Sequence, residues 1–279
     1  MKLFSPAKIN LFLHILGKRP DGYHNLVTLM CCVGLYDIVR LDFSVRDVSV
    51  ACNHPLVPLD HTNLACRAAK RFFDHINRKE GVGISIEKQI PVGAGLGGGS
   101  SNAATVLLGL NRFYGLPLSR EQLIALGVSI GADVPFFIDQ KPAIASGVGE
   151  ILEPCSGIEP YTVLLVFPGF SISTAEMFKN FNFRLTKDIE KIKIPFFRNR
   201  NFDIKRDLHN DFEKIAEEKH PELASIKNVL LKHGAMGALM TGSGSAVFGL
   251  YRDRESAEKA YSTLCRHEGR QLFVADVIL

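Results

Sequence analysis

A chain of 279 residues, 46% hydrophobic and 22% charged, can bury a substantial core and is long enough for one large domain or two modest ones. Its 33 basic and 29 acidic residues are mixed along the chain and leave a net charge of +4, which argues against a dedicated nucleic-acid surface and fits a mildly basic site for an anionic small molecule. Cys31, Cys32, Cys52, Cys66, Cys155 and Cys265 show no CxxC or metal-finger spacing, Lys8, Asn10 and His14 interrupt the first apolar stretch, and no run approaches a membrane span, so a soluble cytoplasmic protein with reduced thiols and no zinc site is expected.

From Ile9 to Ile15 apolar residues alternate with Asn10, Phe12 and His14, the period-two pattern of a strand whose second face could line a cleft. A turn at Arg19-Pro20-Asp21-Gly22 precedes strand-like runs from Leu26 to Val33, Ile38 to Phe43 and Val45 to Ala51. Thr62 is placed to cap a helix with Leu64, Ala65, Ala68, Ala69, Phe72 and Ile76 on one face. Val82 to Glu87 reads as a strand, a glycine-rich loop follows, and a helix from Ser101 to Tyr114 is ended by Gly115. Ser119 and Gln122 form a capping box for a helix running to Gly131, and Ala143 to Gly147 is a further strand.

Between Glu153 and Pro160 the pattern lapses into Pro, Gly and Ser, and a new apolar strand, Val163 to Phe167, begins a second unit. The division expected is 1–155 and 156–279. Phe181 to Arg206, rich in Lys, Arg and Asn, reads as a solvated excursion. Helices fit Asp211 to Glu218, Glu222 to His233 and Ser256 to His267, and strands fit Ala246 to Tyr251 and Leu272 to Ile278. The class expected is α+β.

The chemistry concentrates in Pro91-Val92-Gly93-Ala94-Gly95-Leu96-Gly97-Gly98-Gly99-Ser100-Ser101. Glycines let successive N–H groups turn inward, and a following helix adds unpaired donors and the positive end of its dipole, so the run suits a phosphate. It lacks the lysine of a Walker loop, since Gly99 holds that place. Gly93, Gly95 and Gly98 match the dinucleotide fingerprint formally, but Pro91 breaks the approach from the strand and Glu121 lies inside a helix. A tight connection is the plain alternative.

Together with this loop, Pro6-Ala7-Lys8-Ile9-Asn10 and Thr241-Gly242-Ser243-Gly244-Ser245-Ala246 resemble the three motifs of the GHMP small-molecule kinases. The resemblance extends through Arg19-Pro20-Asp21-Gly22-Tyr23-His24, Gly131-Ala132-Asp133-Val134-Pro135 and Gly147-Val148-Gly149-Glu150, and thins from Phe181 to Arg206. It implies a two-domain GHMP kinase fold with ATP and substrate in an interdomain cleft. It further implies ATP-dependent phosphorylation of the 2-hydroxyl of a methylerythritol attached to cytidine diphosphate. A kinase for mevalonate, homoserine or a sugar, or a nucleotide-binding regulator without turnover, are the alternatives.

Carried over by position, the resemblance makes Lys8 and Asp133 catalytic, Pro91 to Ser101 the ATP loop, and Asn10 a substrate-side polar residue. Tyr23 and His24 fall where cytosine is held, with Phe178 on the far side of the base. Phosphoryl transfer needs mainly positioning and charge neutralisation, so a carboxylate to orient or deprotonate the hydroxyl and a lysine beside the moving oxygens suffice. Stacking a base on aromatics is worth about 1–3 kcal/mol, and an imidazole can hydrogen-bond its edge. Against these stand plain readings: Asp133 as the end of a turn, Lys8 as a solvent-facing lysine, Tyr23-His24 and Phe178 as packing, and Gly242 to Ser245 as a turn. Mg²⁺ is expected with ATP, held mainly by phosphate and water with help from a serine hydroxyl, without a protein metal site of its own. The oligomeric state is not specified.

Overall fold

In the computed structural model, residues 1–181, 201–265 and 269–279 are described. Their contacts divide into two compact units that interleave along the chain. One comprises 1–7, 35–92 and 97–140, and the other 8–34, 93–96 and 141–279. Two long strands, β1 (Lys2–Lys18) and β2 (His24–Asp42), pass from one unit into the other.

In the first unit, β3 (Val48–Cys52) lies parallel to β4 (Val82–Glu87), which runs antiparallel to the second half of β2 in the register Ile38↔Glu87 to Asp42↔Gly83. Helix α1 (Leu64–His75) packs on α2 (Gly98–Phe113) and buries Ala65, Ala68, Ala69, Phe72 and Phe73. Small residues at this helical spacing let the two axes approach closely. Helices α3 (Arg120–Ile130) and α4 (Val134–Asp139) pack against each other and on α2. The capping box of α3 is present: Ser119 Oγ accepts from Gln122 N–H and Gln122 Oε1 accepts from Ser119 N–H at 2.8 Å.

In the second unit, the first half of β2 pairs with β5 (Ala143–Gly147), which forms a hairpin with β6 (Ile151–Pro154). β7 (Thr162–Phe167) is followed by α5 (Thr174–Asn180), α6 (Ile204–Asp207) and the two-residue β8 (His209–Asn210), which pairs parallel with β1. Helices α7 (Glu213–Lys219) and α8 (Glu222–Lys232) lead to β9 (Gly237–Met240) and β10 (Val247–Tyr251). Helix α9 (Arg254–Leu264) and β11 (Gln271–Ile278) complete the unit. An antiparallel sheet runs β11-β7-β10-β9, and Leu164, Val166, Phe212, Ile226, Leu230 and Val247 form part of its core.

Several elements depart from the sequence reading. The runs expected over Leu26–Val33 and Ile38–Phe43 merge into one continuous strand, because Gly34 through Asp37 stay extended, and that strand ends at Asp42, one residue short of Phe43. The strand expected over Val45–Ala51 begins only at Val48, after a bend in which Asp42 accepts from Ser44 N–H and Oγ. β1 is buried on both faces from Pro6 to Leu13, so alternation there does not separate core from solvent. Thr62 does not cap α1: Asp60 takes its N–H and hydroxyl, and Asn63 Oδ1 accepts from Ala65 N–H at 2.9 Å instead. Of the stretch expected to be a solvated excursion, 182–200 lies outside the described residues, while Phe202 and Ile204 are buried. The expected helix end at His267 also lies outside them; α9 starts at Arg254 because Asp253 accepts from Ser256 N–H.

Candidate active site

Lys8 and Asn10 stand two residues apart on β1, so their side chains share a face. Both are buried, and Lys8 Nζ donates to Asn10 Oδ1. The amide of Asn10 is fixed from three sides. Its Nδ2 donates to Thr28 Oγ1 at 2.8 Å, its Oδ1 accepts from Thr241 Oγ1 at 3.2 Å, and its backbone N–H donates to the same hydroxyl at 3.1 Å. A buried ammonium needs such polar surroundings to keep its charge, and these partners also hold it in one place.

The glycine loop meets this pair directly. Lys8 N–H donates to the Leu96 carbonyl at 3.0 Å, and Ala246 N–H donates to the Ala94 carbonyl at 3.1 Å. Gly95 has φ +77°, and a Cβ there would lie 2.2 Å from the Thr241 carbonyl oxygen. Only glycine fits that approach. Gly242 packs against the same groups less tightly, since a Cβ on it would lie 3.0 Å from the Gly95 carbonyl oxygen and 3.1 Å from Lys8 Nζ. The turn from Thr241 to Gly244 is closed by Gly244 N–H to the Thr241 carbonyl at 3.0 Å. Asn210 braces it by donating to the Met240 and Gly242 carbonyls at 2.7 and 2.8 Å. The three motifs singled out in the sequence are thus joined in space.

Where the loop becomes α2, Gly97 caps the helix with φ 70° and without a side-chain hydrogen bond, leaving first-turn N–H groups for an anion. Gly98, Gly99 and Ser100 form that turn. Pro91, Ala94 and Leu96 are buried, Val92 and Gly93 border the loop, and Ser101 is buried with its hydroxyl accepting from Ser5 at 2.8 Å. Asp37 carries both flanks of the loop. Its carboxylate accepts from Gln89 N–H, Ile90 N–H, Asn102 Nδ2 and Lys88 Nζ, and the last is an ion pair between a fully buried carboxylate and a largely buried ammonium.

Asp133 lies in the first unit, at the N-cap of α4, and is half-buried. The turn it belongs to is closed by backbone alone, Val134 N–H to the Gly131 carbonyl at 3.1 Å, and its carboxylate caps no N–H. A carboxylate that merely ended a turn would normally take up such a donor. Gly131 brings this turn near the start of α2, where a Cβ on it would lie 3.8 Å from Ser100 Oγ.

His24 and Phe178 stack with ring centroids 4.8 Å apart and an interplanar angle of 15°, and Phe212 meets the other edge of Phe178 at 4.9 Å. Tyr23 is not in that stack. It is 66% exposed, and its backbone is held in the turn by Asp21 and Arg19. Burial, reinforced by the positive charge of Lys18, holds the His24 imidazole below its ordinary pKa of 6.5. Its neutral form can both donate and accept a hydrogen bond. Thr28 and Asn210 were not singled out in the sequence; their only signal would have been their pairing in space with Asn10 and the Thr241 turn.

Family models for the GHMP kinases N terminal domain and the GHMP kinases C terminal domain match residues 63–141 and 183–270. A 4-diphosphocytidyl-2-C-methyl-D-erythritol kinase of Syntrophotalea carbinolica is 46% identical over 275 residues, 98% of each chain. One of Syntrophus aciditrophicus is 42% identical over 95% of this chain and 94% of its own. A solved 4-(cytidine 5'-diphospho)-2C-methyl-D-erythritol kinase superposes with a TM-score of 0.80 and 32% identity over 99% of both chains. A homoserine kinase from Cytophaga hutchinsonii matches with a TM-score of 0.77 at 17% identity over 99% of this chain and 94% of its own, a likeness of fold. No described helix is long and apolar enough to cross a membrane.

Proposed function

The chain belongs to the GHMP kinase family, and from that premise we infer that it transfers the γ-phosphoryl group of ATP to the 2-hydroxyl of 4-diphosphocytidyl-2-C-methyl-D-erythritol. The observation that carries this reading is identity above 40% along nearly the full chain with kinases of that name. Mevalonate and homoserine kinases share the fold at under 20% identity. The reaction belongs to non-mevalonate isoprenoid precursor biosynthesis in the cytoplasm. The two family segments fall on either side of residue 155, in line with 1–155 and 156–279 as sequence modules, whereas the compact units cross that boundary, with 8–34, 93–96 and 141–155 grouped with the later residues.

The roles follow from the geometry. The uncapped first turn of α2 and the loop before it receive the ATP phosphates. Lys8, held by Asn10, places a positive charge where negative charge moves during transfer. Asp133, which caps no helix N–H, orients the acceptor hydroxyl and takes its proton as the bond to phosphorus forms. His24 and Phe178 receive the cytosine, which enters by separating their rings, and exposed Tyr23 folds over it. Mg²⁺ would be held mainly by the ATP phosphates and water, with the Ser100 hydroxyl in the first turn of α2 as the protein group that would assist, and when bound it would neutralise phosphate charge.

The test is phosphorylation by the purified protein with ATP and Mg²⁺ of the cytidylated alcohol, beside mevalonate, homoserine and galactose at matched concentrations. Selective turnover of the first is expected; turnover of another alcohol alone would overturn the substrate and keep the kinase.

A further inference from the structure

Away from the residues given roles above, His14, His209 and Asp211 bring one ring nitrogen each and a carboxylate oxygen within 4.8 Å of one another, a cluster found among the described residues. The fold builds it deliberately from two distant segments. β8 lies parallel to β1 in the register Phe12↔His209 and Leu13↔Asn210, and Asp211 N–H donates to the Leu13 carbonyl at 3.0 Å. The two imidazoles stack at 4.5 Å and 16°.

The carboxylate is already aimed. Asp211 Oδ2 accepts from Ile15 N–H at 2.6 Å, which leaves Oδ1 turned to His209 Nε2 at 2.7 Å. That outer hydrogen bond does what second partners do for metal ligands: it fixes the orientation of the group that binds. We propose that His14, His209 and Asp211 bind a divalent transition ion of the zinc type, separate from the Mg²⁺ that accompanies ATP.

The ion takes the place of the proton shared by His209 and Asp211. With metal–ligand distances of about 2.0–2.2 Å in a tetrahedron, the Nε2···Oδ1 separation of 2.7 Å must widen by roughly 0.6–0.9 Å, a shift that the exposed His209 ring can supply. His209 moves its proton to Nδ1 and offers the Nε2 lone pair, so no proton is lost from a neutral ring. His14 supplies the third ligand as the rings tilt out of their stack, a movement open to His209 because its side chain is 47% exposed. Water completes a tetrahedron. Two imidazoles and one carboxylate select zinc, cobalt, nickel or copper over Mg²⁺, which demands oxygen ligands in an octahedron. The ion would clasp β1 to β8 on either side of Asn210, the residue that braces the Thr241 turn.

The experiment uses tag-free, metal-free protein titrated with Zn²⁺ by calorimetry and with Co²⁺ by visible absorption, beside His14→Gln and His209→Gln. One ion per chain is expected in the parent, with the intense visible bands of tetrahedral cobalt, and affinity at least about tenfold weaker in each variant. A thermal melt checks folding: all three should melt alike without metal, and Zn²⁺ should raise the parent alone. Binding at exposed Cys265 is common to all three proteins and cancels. Equal affinity in parent and variants, or displacement by equimolar Mg²⁺, would overturn the site.

Discussion

Asn102 donates its side-chain amide to Asp37 Oδ2 at 2.9 Å, which ties the first turns of α2 to a carboxylate that also accepts from Gln89 and Ile90 just ahead of the glycine loop. Asp37 is fully buried and pairs with buried Lys88. Removing one partner of such a pair strands the other charge, so Asp37→Ala should cost about 3–5 kcal/mol in urea unfolding. A loss below about 1 kcal/mol would show that the pair bears little of the loop's support.

Asp133 offers the sharpest kinetic test. Asp133→Ala should lower kcat by about two or more orders of magnitude, the usual contribution of a positioned base, while ATP binding by calorimetry stays near the parent value. Full turnover would return Asp133 to the role of a turn residue.

Two glycines of the loop should answer differently. Gly95→Ala drives a methyl against the Thr241 carbonyl at a positive φ, so it should lower both melting temperature and kcat/KM, with strain of about 1–3 kcal/mol. Gly99 sits in the first turn of α2, where a Cβ meets only Leu64 Cδ1 at 3.7 Å. Gly99→Ala should therefore hold or raise stability by up to about 1 kcal/mol. If α2 receives phosphate, the ATP KM should nevertheless rise roughly tenfold, equivalent to about 1.4 kcal/mol. An unchanged KM would remove phosphate from that turn.

The thiols should sort by burial. Burial pushes Cys32 up to about 12 and Cys31 well above its ordinary value, so at pH 8 only about one Cys32 in ten thousand is thiolate. Iodoacetamide should label exposed Cys265 first and leave Cys31 and Cys32 intact until the protein unfolds, as read by peptide mass spectrometry. Early labelling of Cys31 or Cys32 would contradict their burial.

His24 gives the pH dependence its sign. A base whose folded pKa is depressed favours its neutral form, so its contribution to stability is present above 6.5 and is lost as pH falls below that value. The His24 ring resonance in NMR should titrate below 6.5; a midpoint above it would contradict burial as the governing cause.

What could be read from the sequence was whatever is decided within a few residues. Ser119 and Gln122 lie three apart and cap each other whatever surrounds them, and Val82–Glu87 alternates cleanly because one face of it packs inward. Thr62 failed as a cap because its neighbour Asp60 competes for it. β1 misled because both its faces are covered. Lys8, Asn10 and the loop were found by motif, whereas Thr28 and Asn210 act through partners remote in the chain and carry no local signal. The same holds for His14 and His209, which meet only because β8 adds to β1.

The docking of Gly93–Leu96 on the turn from Thr241 to Ala246 also sets an order of assembly. A ribosome delivers the loop long before it delivers the turn that receives it, and contacts of such sequence separation form late. A nascent or truncated chain ending at residue 155 would hold the glycines without their seat, and so should bind ATP poorly. Seating of the phosphate loop is then tied to completion of the turn at 241–246 rather than to the loop's own sequence.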